Sequence, residues 1–132
     1  MPWQFDKERP IYTQLLEQIR FLIISGHYAE GEKLPSVRDL ASEASVNPNT
    51  MQRALTELER SGLIYSQRTS GRYVTEDREL IRKMKESIGL EKILTFFHEM
   101  DQLGYTAEQV VELIHKVNNS DYKEATNETP FQ

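Results

Sequence analysis

Cysteine is absent from these 132 residues, so the chain can form no disulfide and offers no thiolate to a metal or a substrate. Long apolar runs are missing too. The longest uncharged one, Phe21 to Ile24, falls far short of the ~20 residues that span a bilayer. No basic stretch followed by an apolar one opens the sequence, so secretion is not expected. The expectation is a cytoplasmic protein with no membrane partner. Surplus positive charge is also lacking: 16 Lys and Arg stand against 21 Asp and Glu, a net charge of −5. Catalytic signatures are absent as well, with no Gly-x-Ser-x-Gly, no phosphate-cradling glycine loop and no His-Glu-x-x-His. Glu57 and Glu59 lie two apart on a helical stretch and point to different faces. His27, His98 and His115 are too scattered for a metal motif. Neither an enzyme nor a metal or cofactor is expected.

What is present is an ordered set of short helices and a hairpin. Ile11, Leu15, Ile19, Leu22 and Ile23 recur at helical spacing, with Gln14, Glu17, Gln18 and Arg20 expected on the other faces. Pro10 suits the first turn of this helix and Gly26 its end. Ser36 can cap a second helix with Asp39 three residues on, and Val37, Leu40, Ala41 and Ala44 would form its buried stripe. After a turn at Ser45-Val46, with Val46 pointing inward, Asn47 caps a third helix that has Pro48 at its first position. Met51, Ala54, Leu55 and Leu58 give its inner face, and Gly62 ends it. Leu63–Gln67 and Arg72–Thr75 read as strands around a tip at Arg68-Thr69-Ser70-Gly71-Arg72, where Gly71 supplies conformational freedom.

The fold class is therefore mainly α with a small β-hairpin: a winged helix-turn-helix over residues 1–76. A linker at Glu76–Glu79 leads to a helical region over 77–118, and a polar tail covers 119–132. Gly89 either breaks the first of the C-terminal helices or is merely a weak point in it. Gly104 closes that helix, and Thr106 with Gln109 forms a capping box for the next.

In a helix-turn-helix the second helix enters the major groove by its N-terminal end while the first crosses the backbone. Asn47, Asn49 and Gln52 are the candidate base readers, since Asn and Gln pair bidentately with adenine. Arg38, Thr50 and Arg53 are candidate phosphate anchors, with Ser36 at a helix N-terminus beside Arg38. Arg68, Thr69, Ser70, Gly71 and Arg72 would engage DNA from the wing. The bland alternative makes Asn47 only a cap, Arg53 and Arg60 only solvated charges, and Gly71 only a turn glycine. The ordered set favours the DNA-reading device. Charge agrees locally: residues 47–75 carry Arg53, Arg60, Arg68 and Arg72 against Glu57 and Glu59, whereas residues 77–132 carry seven basic and eleven acidic residues. Screening over about 8 Å makes the local balance the one a phosphate meets.

The segment Pro10-Ile11-Tyr12-Thr13-Gln14-Leu15, the Gly26 and Gly31 punctuation, Leu34-Pro35-Ser36-Val37-Arg38-Asp39-Leu40-Ala41, Val46-Asn47-Pro48-Asn49-Thr50 and the closing wing resemble the GntR family of bacterial transcription regulators. The similarity covers about residues 8 to 76. The short C-terminal region is similar to that of the YtrA-type subfamily, whose two-helix appendage serves dimerisation. The resemblance implies DNA contacts at Arg38, Asn47, Asn49, Thr50, Gln52, Thr69, Ser70 and Gly71, and a repressor as the expected mode. Many relatives have arginine where this chain has Pro48 and Gln52, so two guanine readers are missing and other subfamilies' operator preferences do not transfer.

The two C-terminal helices are too short to build a sizeable core alone. Their apolar residues Leu90, Ile93, Leu94, Phe97, Val110, Leu113 and Ile114 are therefore expected to be covered by a second copy, giving a homodimer on a pseudo-palindromic double-stranded operator. The rival is a monomer in which these helices fold back on the first. Phe96, Phe97 and Tyr105 read as core or as the lining of a small apolar cavity, which leaves room for a small-molecule effector of unidentified chemistry. The alternative function is a winged-helix protein-interaction module without specific DNA binding. The polar Asn, Thr, Gln and Arg set speaks against it, because protein-binding faces display apolar anchors.

Overall fold

Apolar residues at helical spacing after Pro10 produce α1, Ile11–Ile24, whose Leu15, Ile19, Leu22 and Ile23 are buried. The computed structural model describes residues 3–120. It continues with α2, Val37–Ala44, and α3, Pro48–Ser61, then an antiparallel hairpin of β1, Ile64–Gln67, and β2, Gly71–Val74. Two more helices follow, α4, Arg78–Gln102, and α5, Ala107–Asn119. The chain divides between Glu86 and Ser87 into two compact units, a division that falls inside α4.

In the first unit α3 is the hub, packed against α1, α2 and β1. Leu15 and Ile19 of α1, Leu40 of α2, Met51, Leu55 and Leu58 of α3, and Leu63, Ile64 and Val74 around the hairpin are all but fully buried. Each such side chain contributes about 1.5–3 kcal/mol of burial. Val37 and Val46 are half-buried and pack on this cluster, as do Ile81 and Met84 at the start of α4. The turn between α2 and α3 is closed by Val46 N–H donating to Ala41 O at 2.9 Å and Ser45 N–H to Ser42 O at 3.2 Å. Ser45 takes φ 58°, the left-handed conformation that usually selects glycine.

Gln14 departs from the expectation of an outward face. It is only 5% exposed. Its Nε2 donates to Asp6 O at 2.7 Å and to Arg9 O at 3.0 Å, and its Oε1 accepts from Asp6 N–H at 2.6 Å. Gln18 trades bonds with the Gln4 backbone in the same way. The cause is the segment before Pro10, which folds back along α1 and lays Trp3 and Phe5 on the core. An amide side chain there does the work of a neighbouring strand, and a buried polar group is stable because it is paired.

The hairpin pairs Ile64 with Val74 and Gln67 with Gly71, so the strands differ by one residue from the expected ends. The tip is a three-residue loop, Arg68 to Ser70, closed by Ser70 N–H donating to Gln67 O at 3.1 Å. Gly71 sits at φ 123° as foreseen, but Thr69 also has positive φ, at 70°. Residues 31–34 run beside β2: Val74 N–H donates to Glu32 O at 2.9 Å and Leu34 N–H to Arg72 O at 2.9 Å.

The expected linker at Glu76–Glu79 is shorter than read. Asp77 Oδ1 accepts from Leu80 N–H at 3.1 Å, a helix cap that starts α4 at Arg78. The helix passes Gly89 without a break, so the glycine is a weak point only. In the second unit, Gly104 ends α4 at φ 97° and Tyr105 N–H donates to Met100 O at 3.1 Å. Thr106 and Gln109 form the reciprocal capping box of α5. Asn119, assigned to the polar tail, is the last residue of α5, and the tail from Asp121 onward lies outside the described residues.

Candidate nucleic-acid interface

Both helices of the helix-turn-helix begin with a side chain that satisfies their first turn. Ser36 Oγ accepts from Asp39 N–H at 3.0 Å, and Asn47 Oδ1 accepts from Asn49 N–H at 2.8 Å. These bonds use acceptor sites only. The Ser36 hydroxyl proton and the Asn47 amide N–H groups remain as donors for a ligand. Beyond the caps, Arg38, Asn49, Gln52 and Arg53 are exposed and Thr50 is half-buried. The Arg53 guanidinium lies 3.6 Å above the centre of the Tyr12 ring, and Ile11, Tyr12, Asn49, Thr50 and Arg53 line one shallow depression.

The wing divides its polar residues. Arg68 and Thr69 are exposed at the tip, while Ser70 is half-buried with its hydroxyl against the Tyr73 hydroxyl. Arg72 is drawn inward: its Nε donates to Glu59 Oε1 at 2.5 Å and its side chain is only 18% exposed. It is placed as a tie between β2 and α3, not at the tip. Glu59 also accepts from Ser66 Oγ at 2.6 Å. A cleft of about 500 Å³ separates the wing from the start of α2, lined by Lys33, Leu34, Pro35, Ser36 and Val37 on one side and Ser70, Gly71 and Arg72 on the other.

The Ser66 hydroxyl and then the Arg72 guanidinium hold the Glu59 carboxyl below its ordinary value of 4.5. A lowered carboxylate pKa gives stability that is present above the unfolded value and is lost as pH falls through the folded one. Glu59→Gln is therefore expected to cost about 1–2 kcal/mol at neutral pH, discounting for partial exposure. The difference from wild type should narrow as pH falls below the ordinary 4.5 and close only once pH has passed the lowered folded value, where both side chains are neutral. Thermal unfolding across pH 3–7 checks this, and a constant difference across that range would contradict it.

Arginine pairing separates two populations. Among the described residues Arg9, Arg60, Arg72, Arg78 and Arg82 pair with carboxylates. Arg38, Arg53 and Arg68, all exposed, pair with none, nor does half-buried Arg20. The three exposed, unpaired guanidiniums are the ones placed on α2, α3 and the wing tip. Two residues outside the expected set border these surfaces. Tyr12 entered only within a motif string, and Lys33 sits beside the wing because its backbone bridges Tyr73.

In the second unit Ile93 and Leu94 are 50% and 70% exposed, and Leu90 and Ile114 are exposed too. Phe97 and Leu113 are half-buried. Val110 is different: at 1% exposure it is already covered within the chain, so it offers a partner no surface. A shallow hollow of about 360 Å³ is lined by Leu94, Phe97, His98, Asp101, Tyr105, Ala107 and Val110. It includes Phe97 and Tyr105 of the expected cavity but not Phe96. No helix among the described residues is long and apolar enough to cross a membrane.

The family described as "Bacterial regulatory proteins, gntR family" matches residues 11–74, from the start of α1 to the end of the wing. The HTH-type transcriptional regulator YhcF of Bacillus subtilis is 37% identical over 109 residues, 83% of this chain and 90% of YhcF. The HTH-type transcriptional repressor YtrA of the same organism is 34% identical over 110 residues, 83% of this chain and 85% of YtrA. A GntR family transcriptional regulator from Listeria monocytogenes superposes with a TM-score of 0.78 at 41% identity, covering 86% of this chain and 99% of that one. The relatives are regulators, not enzymes. With its caps, hairpin and short helical appendage in place, the chain belongs to the GntR family of bacterial regulatory proteins, as a YtrA-type transcription regulator that binds DNA through a winged helix-turn-helix.

Proposed function

We propose that the protein is a repressor that acts as a homodimer on a pseudo-palindromic operator. Asn49 and Gln52 read bases from the major groove, with Asn47 contributing its amide N–H groups. Arg38, Thr50, Arg53 and the Ser36 hydroxyl hold phosphates, and Arg68 with Thr69, Ser70 and Gly71 engages DNA from the wing. The observation that carries this reading is the set of unpaired arginines. In a chain with an excess of carboxylates, the exposed guanidiniums that pair with no carboxylate among the described residues sit on the elements that would meet DNA. Arg72 contributes by fixing the wing against α3 through Glu59. Repression is supported by the name of the YtrA relative, and two-fold assembly by the uncovered apolar residues of α4 and α5. A small-molecule effector would have the hollow beside Phe97 and Tyr105 as its site.

Selection of bound duplexes from a random pool at about 150 mM salt tests the reading, because non-specific binding is weak there. An enriched inverted repeat is expected; a folded protein that enriches nothing would overturn operator recognition. On the selected duplex, Arg38→Ala should weaken binding to all sequences alike and reduce the salt slope by about one per protomer. A change in sequence preference at constant slope would mean that Arg38 reads bases instead.

A further inference from the structure

The Arg53 guanidinium has a neighbour whose chemistry suits it. Tyr12, in the first turn of α1, places its ring 3.6 Å from the Arg53 carbon Cζ, measured to the ring centre. A cation over an aromatic face is attracted by the ring quadrupole. No carboxylate among the described residues pairs with Arg53, so nothing competes for the fork. Position 53 also follows Asn49 and Thr50 by one helical turn, so the three share a face of α3. The same residues, with Ile11 and Tyr12, border one depression.

We propose that Tyr12 is a positioning residue for DNA recognition, holding the Arg53 guanidinium flat so that its N–H edge meets an acceptor on the DNA. Stacking occupies the face of the guanidinium and leaves the edge, which carries all five donors, open. A phosphate takes such an edge as a bidentate partner, and so does the O6/N7 pair of guanine. An unrestrained arginine would lose rotamer freedom on binding; here the ring has already restricted it. The inference rests on the proposed function only in requiring that α3 meets DNA. It adds a residue of α1, a helix otherwise engaged in packing.

The test is a double-mutant cycle on the selected duplex, with Tyr12→Leu and Arg53→Met measured singly and together, Tyr12→Phe as the conservative variant, and Arg38→Ala as the control. Tyr12→Phe keeps the ring and should bind within about twofold of wild type. Tyr12→Leu should weaken binding about tenfold at unchanged unfolding midpoint, and it should have no further effect once Arg53 is methionine. If Tyr12→Leu unfolds the protein, Tyr12→Met takes its place in the cycle. Multiplying effects of the two substitutions, or full binding by the leucine variant, would overturn the role of Tyr12. Should Arg38→Ala also leave binding unchanged, the helix-turn-helix contact itself would be wrong, a failure distinguishable from that of the Tyr12–Arg53 pair.

Discussion

Replacing Ile93 and Leu94 together by glutamate is expected to yield a monomer at micromolar concentration and to weaken operator binding by about 10²–10⁴-fold. The magnitude follows from linkage of two sites: a dimer meets the second half-site at an effective concentration set by its own geometry, and a monomer does not. Both residues are half-exposed or more on α4 and contribute little to burial within the chain, so the second unit should keep its helices. Carboxylates placed in a contact between copies would face each other across the two-fold axis and would be costly to desolvate. Sedimentation equilibrium reads the assembly, and titration of the selected duplex reads the affinity. A variant that stays dimeric would move the contact to another face, with Leu103 and Val117 as the next exposed apolar residues to replace.

Asn49→Ala combined with Gln52→Ala is expected to remove most sequence preference, because each lost bidentate base contact costs about 1–3 kcal/mol in each half-site. The fold should tolerate it. Asn49 gives only its backbone N–H to the cap at Asn47, its side chain is exposed, and alanine favours the helix at both positions. Competition between the selected duplex and a scrambled one measures the loss directly, with non-specific affinity and its salt slope expected to stay unchanged. Preference that survives the double substitution would assign base reading to Asn47 or to the wing, where Arg68 and Thr69 are exposed.

The helix starts were legible because their signals are local. Ser36, Asn47 and Thr106 cap as expected, since a cap needs only a side-chain oxygen and the next turn's N–H groups. The hairpin was legible from β-prone residues around a glycine. What the sequence hid depends on partners distant along the chain. Gln14 is buried because residues 3–9 return along α1, and no periodicity in α1 announces that. Arg72 is withheld from the wing tip by a carboxylate 13 positions away. Arg53, which could have turned to solvent, is stacked on a ring in another helix. In each case the misread or incomplete feature was a polar side chain, whose orientation is decided by a few specific contacts and not by a face of several residues.

The pairing of Arg60 with Glu57 and of Arg72 with Glu59 has a consequence for how the regulator finds its target. Half of the arginines in the reading helix and wing are neutralised inside the protein, and the second half of the chain is acidic. With two of the four guanidiniums of these elements engaged by carboxylates, few counterions should be released on random DNA, so dwell there should be brief and one-dimensional sliding short. Search should then proceed mainly by repeated three-dimensional encounters, with residence at a matched site set by the few side chains that fit it.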